Sequence, residues 1–222
     1  MNSNDRAIVA LTSLGHSMVH TYELSIPILM TLWLVEFQAS TAVLGGIVAV
    51  GYGLYGMGAL PAGILADRWG SRRLIVGCLA GMGASFLLLS LASGLWSIAT
   101  ALILWGCAAS IYHPAGLTLI SRGVVQRGHG LALHGMAGNA GIALGPLCTA
   151  LLLLVVDWRI VAAVLAIPAL LATAYATQAS FDETAADETA TSATKDETKD
   201  ATQEPQSMAQ LWQNTRILFA SG

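Results

Sequence analysis

Three residues near the start of the chain can exchange protons with one another. His16, His20 and Glu23 follow i, i+4, i+7 spacing, and Pro27 comes four residues further on. At about 100° per residue these four positions fall within roughly 60° on one face of a helix, whereas Tyr22 lies off that stripe. Imidazole and carboxylate side chains suit proton transfer, because their charge changes with hydration and with nearby charges. The same spacing is also that of helical metal ligands, and His113 could complete such a set. A third reading makes the histidines packing groups that hydrogen-bond neighbouring helices. Ionisable residues inside a bilayer are costly and usually face a cavity, so the stripe is read as functional. Tyr112, His113 and Asn139 join it as candidates for a substrate and proton pathway. His134 is left open, as a residue near a span end.

The surrounding sequence places this stripe in a membrane. Of 222 residues, 55% are hydrophobic and 10% charged, against about 25% charged in an ordinary globular domain; mean hydropathy is +0.65. Eight of the 13 acidic residues lie between Asp182 and Glu204, so the formal net charge of −3 combines a basic body with an acidic tail. This balance gives no argument for nucleic acid, and the expected surroundings are lipid. Cys78, Cys107 and Cys148 sit in apolar runs, which argues against a disulfide framework. The first apolar run is too long for a cleavable signal peptide. No cofactor and no resident metal is expected.

Six runs, roughly 7–35, 41–65, 73–93, 96–121, 128–155 and 158–179, approach the ~20 apolar residues a span needs. All should be helices, because a lipid-exposed span must satisfy its own backbone groups. Arg6, Arg68, Arg72, Arg73, Arg122 and Arg127 fall on one side, and Arg159 alone on the other, beside Glu36 and Asp157. The bias puts both termini in the cytoplasm of a multi-pass cell-membrane protein. Residues 1–180 are thus read as the membrane bundle. Residues 181–207, acidic and nearly free of bulky apolar groups, are read as a disordered cytoplasmic linker. Residues 208–222 are read as a short amphipathic segment or the start of a seventh span.

Between the second and third runs lies Gly63-Ile64-Leu65-Ala66-Asp67-Arg68-Trp69-Gly70-Ser71-Arg72-Arg73. The pattern G-x-x-x-D-R-x-G-x-R-R resembles the loop signature of the major facilitator superfamily of secondary transporters. The resemblance implies an all-α fold whose six helices form one half of a two-half transporter, with the substrate between halves. It gives Gly63, Asp67, Arg68, Gly70, Arg72 and Arg73 a gating-loop role. Here Gly63 is expected to allow close approach of a neighbouring span, Asp67 to accept from arginine or backbone N–H groups, and Arg72 and Arg73 to hold the loop at the phosphate-rich surface. In the family, the counterpart of Asp67 also braces a helix of the second half. A second six-helix half, as a further segment or a paired chain, is therefore an expected partner, and the expectation is of a truncated product rather than a self-sufficient half.

Two further elements refine the resemblance. Gly138, Gly141, Gly145 and Pro146 look like the G-x-x-x-G-P element of proton-linked exporters, departing from it at Thr149-Ala150; close helix packing explains the glycines equally well. His113-Pro114-Ala115 in the fourth run, with His16 in the first, is similar to the fosmidomycin-resistance branch. Leu102 stands where many drug exporters have an arginine, which disfavours an arginine relay in that span. The sequence thus points to a secondary transporter of a small organic solute, proton-coupled and exporting, rather than an enzyme. An intramembrane metal-dependent enzyme using His16, His20 and Glu23, or a non-transporting membrane subunit, are the alternatives.

Overall fold

The computed structural model describes residues 1–189, 191 and 192. The segment expected at 208–222 and most of the linker expected at 181–207 lie outside the described residues. The chain divides into two compact units, Met1–Ala185 and Ala186–Gly222. Among the described residues of the second, Thr191 and Ser192 donate side-chain hydrogen bonds to the carbonyls of Asp187 and Glu188, one helical turn back.

The first unit is built from eight helices: α1 (Ser3–Glu36), α2 (Thr41–Met57), α3 (Ala59–Trp69), α4 (Ser71–Ser90), α5 (Leu95–Ala109), α6 (Tyr112–Gly123), α7 (Arg127–Leu153) and α8 (Trp158–Gln178). α5 and α6 form one span-length element over 95–123. Counting it so, five helices are long and apolar enough to cross a bilayer alone. The pair α2 and α3, bent by 44°, supplies a sixth if it is one crossing. The architecture is that of an all-α membrane protein, as the sequence implies.

The helix breaks have local causes. Pro61 has no N–H for the carbonyl of Met57, and Gly58 stands at the resulting bend between α2 and α3. Likewise Pro114 cannot donate to Ser110, and α5 gives way to α6 at Ser110-Ile111. A Cβ on Gly58 would overlap the side chain of Ser110, so the two breaks meet in space. α1 instead runs unbroken through Pro27. The carbonyl that Pro27 leaves without its helical partner is that of Glu23, and the Tyr52 hydroxyl donates to it. A neighbouring span thereby repairs the deficit, as membrane depth demands.

Packing follows small residues. The dominant pairs are α1 with α7, α4 with α8 and α2 with α5. Along α7, a Cβ on Gly141 would collide with the backbone of Ser17, and one on Gly145 would come within 2.6 Å of the Thr21 Cα. Gly106 of α5 lies equally tight on Gly51 of α2. Interhelical hydrogen bonds in a membrane contribute only ~0.6 kcal/mol each, so close van der Waals contact along these seams contributes more to holding the helices together. Beside the α1–α7 seam, Tyr22 packs on Phe86 at 4.2 Å and donates to the Leu165 carbonyl at 2.6 Å. Cys78 is buried in this core, while Cys107 and Cys148 are exposed on the helix surfaces rather than packed inside.

Polar ties close each end of the bundle. At one end Asn4 donates to the carbonyls of Gly123 and Asp182, and the Asp5 carboxylate accepts from the N–H groups of Val125 and Gln126. At the other, Glu36 accepts from Arg159 at 2.6 Å and from the Trp158 indole, and Arg159 also donates to the Ala92 carbonyl. Residues 4 and 182 therefore share an end, which requires an even number of crossings between them.

The seam makes a specific demand on α7. Gly141→Val should overpack it by about 1–3 kcal/mol and lower the thermal transition in detergent by about 2–10 °C. Gly135→Val, on the same helix where a Cβ meets nothing within 4 Å, should shift it far less. Equal shifts for the two variants would show that the seam is not limiting.

Candidate functional site

The α1 stripe faces α2, α6 and α7, whose polar groups come onto it. Glu23 Oε2 lies 2.7 Å from His20 Nδ1. His20 Nε2 lies 3.1 Å from His16 Nε2, and His16 Nδ1 lies 2.8 Å from the carbonyl oxygen of His134. His113, the second residue of α6, sits with its ring 5.2 Å from that of His16 and 5.6 Å from that of His20; its Nε2 is 2.9 Å from the Tyr55 hydroxyl of α2. His134 stacks on His16 at 4.1 Å. Tyr112 stacks against both and donates its hydroxyl to the Thr12 carbonyl. Glu23 and His20 are only partly shielded, with side chains 23% and 18% exposed.

The line from Glu23 to the His134 carbonyl fixes a proton count. A carbonyl oxygen can only accept, so the proton in the last contact sits on His16 Nδ1. Neutral His16 then presents a bare lone pair at Nε2. For the 3.1 Å contact to attract, His20 Nε2 must carry a proton. The Glu23–His20 contact needs a proton of its own, on Nδ1 or on the carboxyl. Three contacts thus hold three protons, while a carboxylate and two neutral imidazoles bring only two. The extra proton makes the line electrically neutral, whether it resides on His20 or on Glu23. Without it, two lone pairs face each other or a carboxylate faces an unprotonated nitrogen.

Gly138 makes this geometry possible. A Cβ there would overlap the His16 ring, so the ring occupies the room an alanine would fill. Gly138, Gly141 and Gly145 therefore seat the histidine stripe as well as packing the helices. Pro146 lies inside α7 without ending it. Three residues beyond that proline, Thr149 shares a 2.7 Å hydrogen bond with Ser25 of α1. Asn139, next to Gly138, is exposed on α7, and the structure gives it no contact with the histidines.

The sequence reading missed two contributors, Tyr52 and Tyr55, and left a third, His134, open. His134 is buried; its position one turn before Gly138 was the available signal. Tyr52 and Tyr55 carry no motif, and only the register of α2 brings them to the stripe.

Within this half the charged loop departs from expectation in three places. A Cβ on Gly63 meets nothing within 4 Å among the described residues, so no span of this half approaches it closely. Asp67 is exposed in the last turn of α3 and is not the group that caps the next helix. Glu183 takes that role, accepting from the N–H groups of Ser71 and Arg72 at 2.9 and 3.4 Å beside Gly70. Gly70, with φ of 82°, makes the left-handed turn that brings the helix start to this carboxylate. Arg72 is engaged by protein groups: it donates to the carbonyls of Ala176 and Thr177 at the end of α8 and lies over the Phe181 ring at 5.3 Å. An arginine at a helix C-terminus satisfies carbonyls that would otherwise lack donors. Arg68 and Arg73 are exposed.

Comparison with known proteins accords with this architecture. The family model of the Major Facilitator Superfamily matches residues 9–221, and the chain belongs to that superfamily. No curated protein matches it. Among solved structures, it is similar to a D-xylose-proton symporter at 17% identity and a TM-score of 0.64, covering 90% of this chain and 53% of that one. It is also similar to the human organic anion transporter MFSD10 (TETRAN) at 16% identity and a TM-score of 0.60, covering 79% and 47%. At these identities the likeness is one of fold, and the chain spans about half the length of both.

Proposed function

We propose that this chain is the N-terminal half of a proton-coupled secondary transporter that exports a small organic solute, working with a second six-helix half. The observation that carries the reading is the neutral line Glu23–His20–His16, which needs one proton beyond the resting complement of its groups. Its two ionisable contacts lie on the middle turns of α1 rather than at a bilayer surface. Loss of the extra proton leaves one net negative charge, which a cavity open to water tolerates and a closed one penalises by several kcal/mol. Alternating access is therefore biased: closure favours the loaded line, and opening allows discharge. Tyr55 and His113 extend the polar wall from α2 and α6 toward the same rings, where a solute between the halves could compete for the proton.

Export rather than uptake is supported by the likeness of Gly138–Pro146 and His113-Pro114-Ala115 to exporter elements. The transporter reading is favoured over catalysis by superfamily membership and by the transporter folds the chain resembles. The arginine bias supports a cell-membrane setting with the end that holds Asn4, Arg68, Arg122 and Asp182 in the cytoplasm.

Two measurements address the reading. Reporter fusions after Glu36, Gly94 and Asp157 should report outside, and those after Trp69, Arg127 and Glu188 inside; an outside signal at Glu188 contradicts the orientation. Glu23→Gln can donate its amide to His20 and so mimics the loaded line permanently. In liposomes holding both halves, it should abolish solute accumulation driven by a proton gradient while preserving counterflow exchange. Normal proton-driven accumulation in Glu23→Gln would reduce Glu23 to a structural hydrogen-bonding group.

A further inference from the structure

The ring nitrogens of this cluster are arranged as metal ligands are. In metal sites, a ligating imidazole almost always donates its second ring N–H to a carboxylate, carbonyl or similar partner, which fixes the ring and its tautomer. His20 Nδ1 is tied to the Glu23 carboxylate and His16 Nδ1 to the His134 carbonyl. His113 Nε2 is tied to the Tyr55 hydroxyl. Each ring thus has one nitrogen held by an outer partner and one that remains: Nε2 of His16, Nε2 of His20 and Nδ1 of His113. His16, His20 and His113 offer ligand atoms that all lie within 4.8 Å of one another.

The spacing suits a small divalent ion. Two imidazole nitrogens at ~2.05 Å from a tetrahedral ion stand about 3.3 Å apart, and the His16–His20 pair stands at 3.1 Å. The third ligand atom, a ring nitrogen of His113, lies within 4.8 Å of the other two and so has to close in by at most about 1.5 Å to reach the same distance. A further imidazole stacks on His16, and its Nδ1 is buried with no hydrogen-bond partner among the described residues; this is His134. Buried polar atoms of that kind are few in native structures and call for an explanation.

We propose that His16, His20 and His113 form a binding site for a divalent transition-metal cation of the Zn²⁺, Co²⁺ or Ni²⁺ class, with Glu23 and Tyr55 as outer-sphere partners. Neutral imidazole donors select this class over Mg²⁺ and Ca²⁺, which require oxygen ligands. The ion takes the place between the two Nε2 atoms that the shared proton otherwise fills. Proton and metal are therefore alternative occupants of one position. The site is a binding site and not a hydrolytic centre, and it stands whether or not the transport reading does.

The test uses purified full-length protein without a polyhistidine tag, stripped of metal and held in detergent. Calorimetric titration with ZnCl₂ should give one ion per chain. His16→Asn, His20→Asn and His113→Asn should each weaken it at least tenfold, and Glu23→Gln should weaken it by about 10–100-fold as the loss of an outer-sphere partner. His129→Asn, at an exposed position outside the cluster, should leave the titration unchanged. Circular dichroism and gel filtration confirm that each variant is folded. X-ray absorption of the zinc-loaded wild type needs no variant and should count at least three imidazole ligands. Absence of stoichiometric binding, binding that survives all three cluster substitutions, or a count of one imidazole or none would overturn the proposal. A protein that binds no zinc but loses proton-driven transport on Glu23→Gln would sink the metal site and leave the transport reading standing.

Discussion

Two imidazole nitrogens 3.1 Å apart, each on a ring whose other nitrogen is already engaged, define the constraint on which the rest of this structure turns. Two lone pairs cannot face each other at that distance in a medium of low dielectric without something positive between them. The surrounding bundle is shaped to keep them there. Gly138 vacates the room the His16 ring occupies, Gly141 and Gly145 draw α7 onto α1 below it, and the His134 carbonyl fixes the tautomer. Removing any of these would not merely loosen the packing. It would release a ring whose orientation sets where a proton can sit.

The helix defects serve the same place. Five spans carry a proline, and three of these prolines shape the elements around the cluster. Pro27 frees the Glu23 carbonyl for Tyr52, coupling the backbone of the stripe to α2. Pro114 breaks the fourth span at Ser110-Ile111 and sets Tyr112 and His113 at the start of α6. Pro61 and Gly58 bend the second span where it meets that break. Irregular backbone at membrane depth is tolerated where protein or a cavity covers it, and here it faces the histidine cluster. The ends of the bundle, by contrast, are fastened by conventional means: Glu183 caps α4, Arg72 caps α8, and Glu36 with Arg159 ties the far end.

The apolar runs made the spans legible, because a hydrocarbon core about 30 Å thick demands roughly 20 helical residues and leaves few alternatives. The i, i+4, i+7 stripe was legible for the same reason, since helical periodicity places His16, His20 and Glu23 on one face whatever the tertiary fold. Partners contributed by other helices were not. Tyr52, Tyr55 and His134 reach the site through the register of α2 and of the α1–α7 seam, and neither leaves a local signature. Asp67 illustrates the reverse case: a motif residue whose assigned contact is taken by Glu183, a carboxylate from the stretch that composition alone marks as linker. Asn139 was singled out by its polarity within a span, yet a single residue's rotation from Gly138 turns it away from the His16 ring.

The central claim, that a proton is shared between His16 and His20, can be observed directly. With ¹⁵N-labelled histidine, solid-state NMR of the protein in lipid bilayers detects scalar coupling between two nitrogens joined by a hydrogen bond. The account predicts a coupling between His16 Nε2 and His20 Nε2 that persists when Glu23 is replaced by alanine, because two neutral imidazoles still supply one proton to each of the two remaining contacts. Two uncoupled Nε2 signals, each either a bare lone pair or a donor to water, would contradict it.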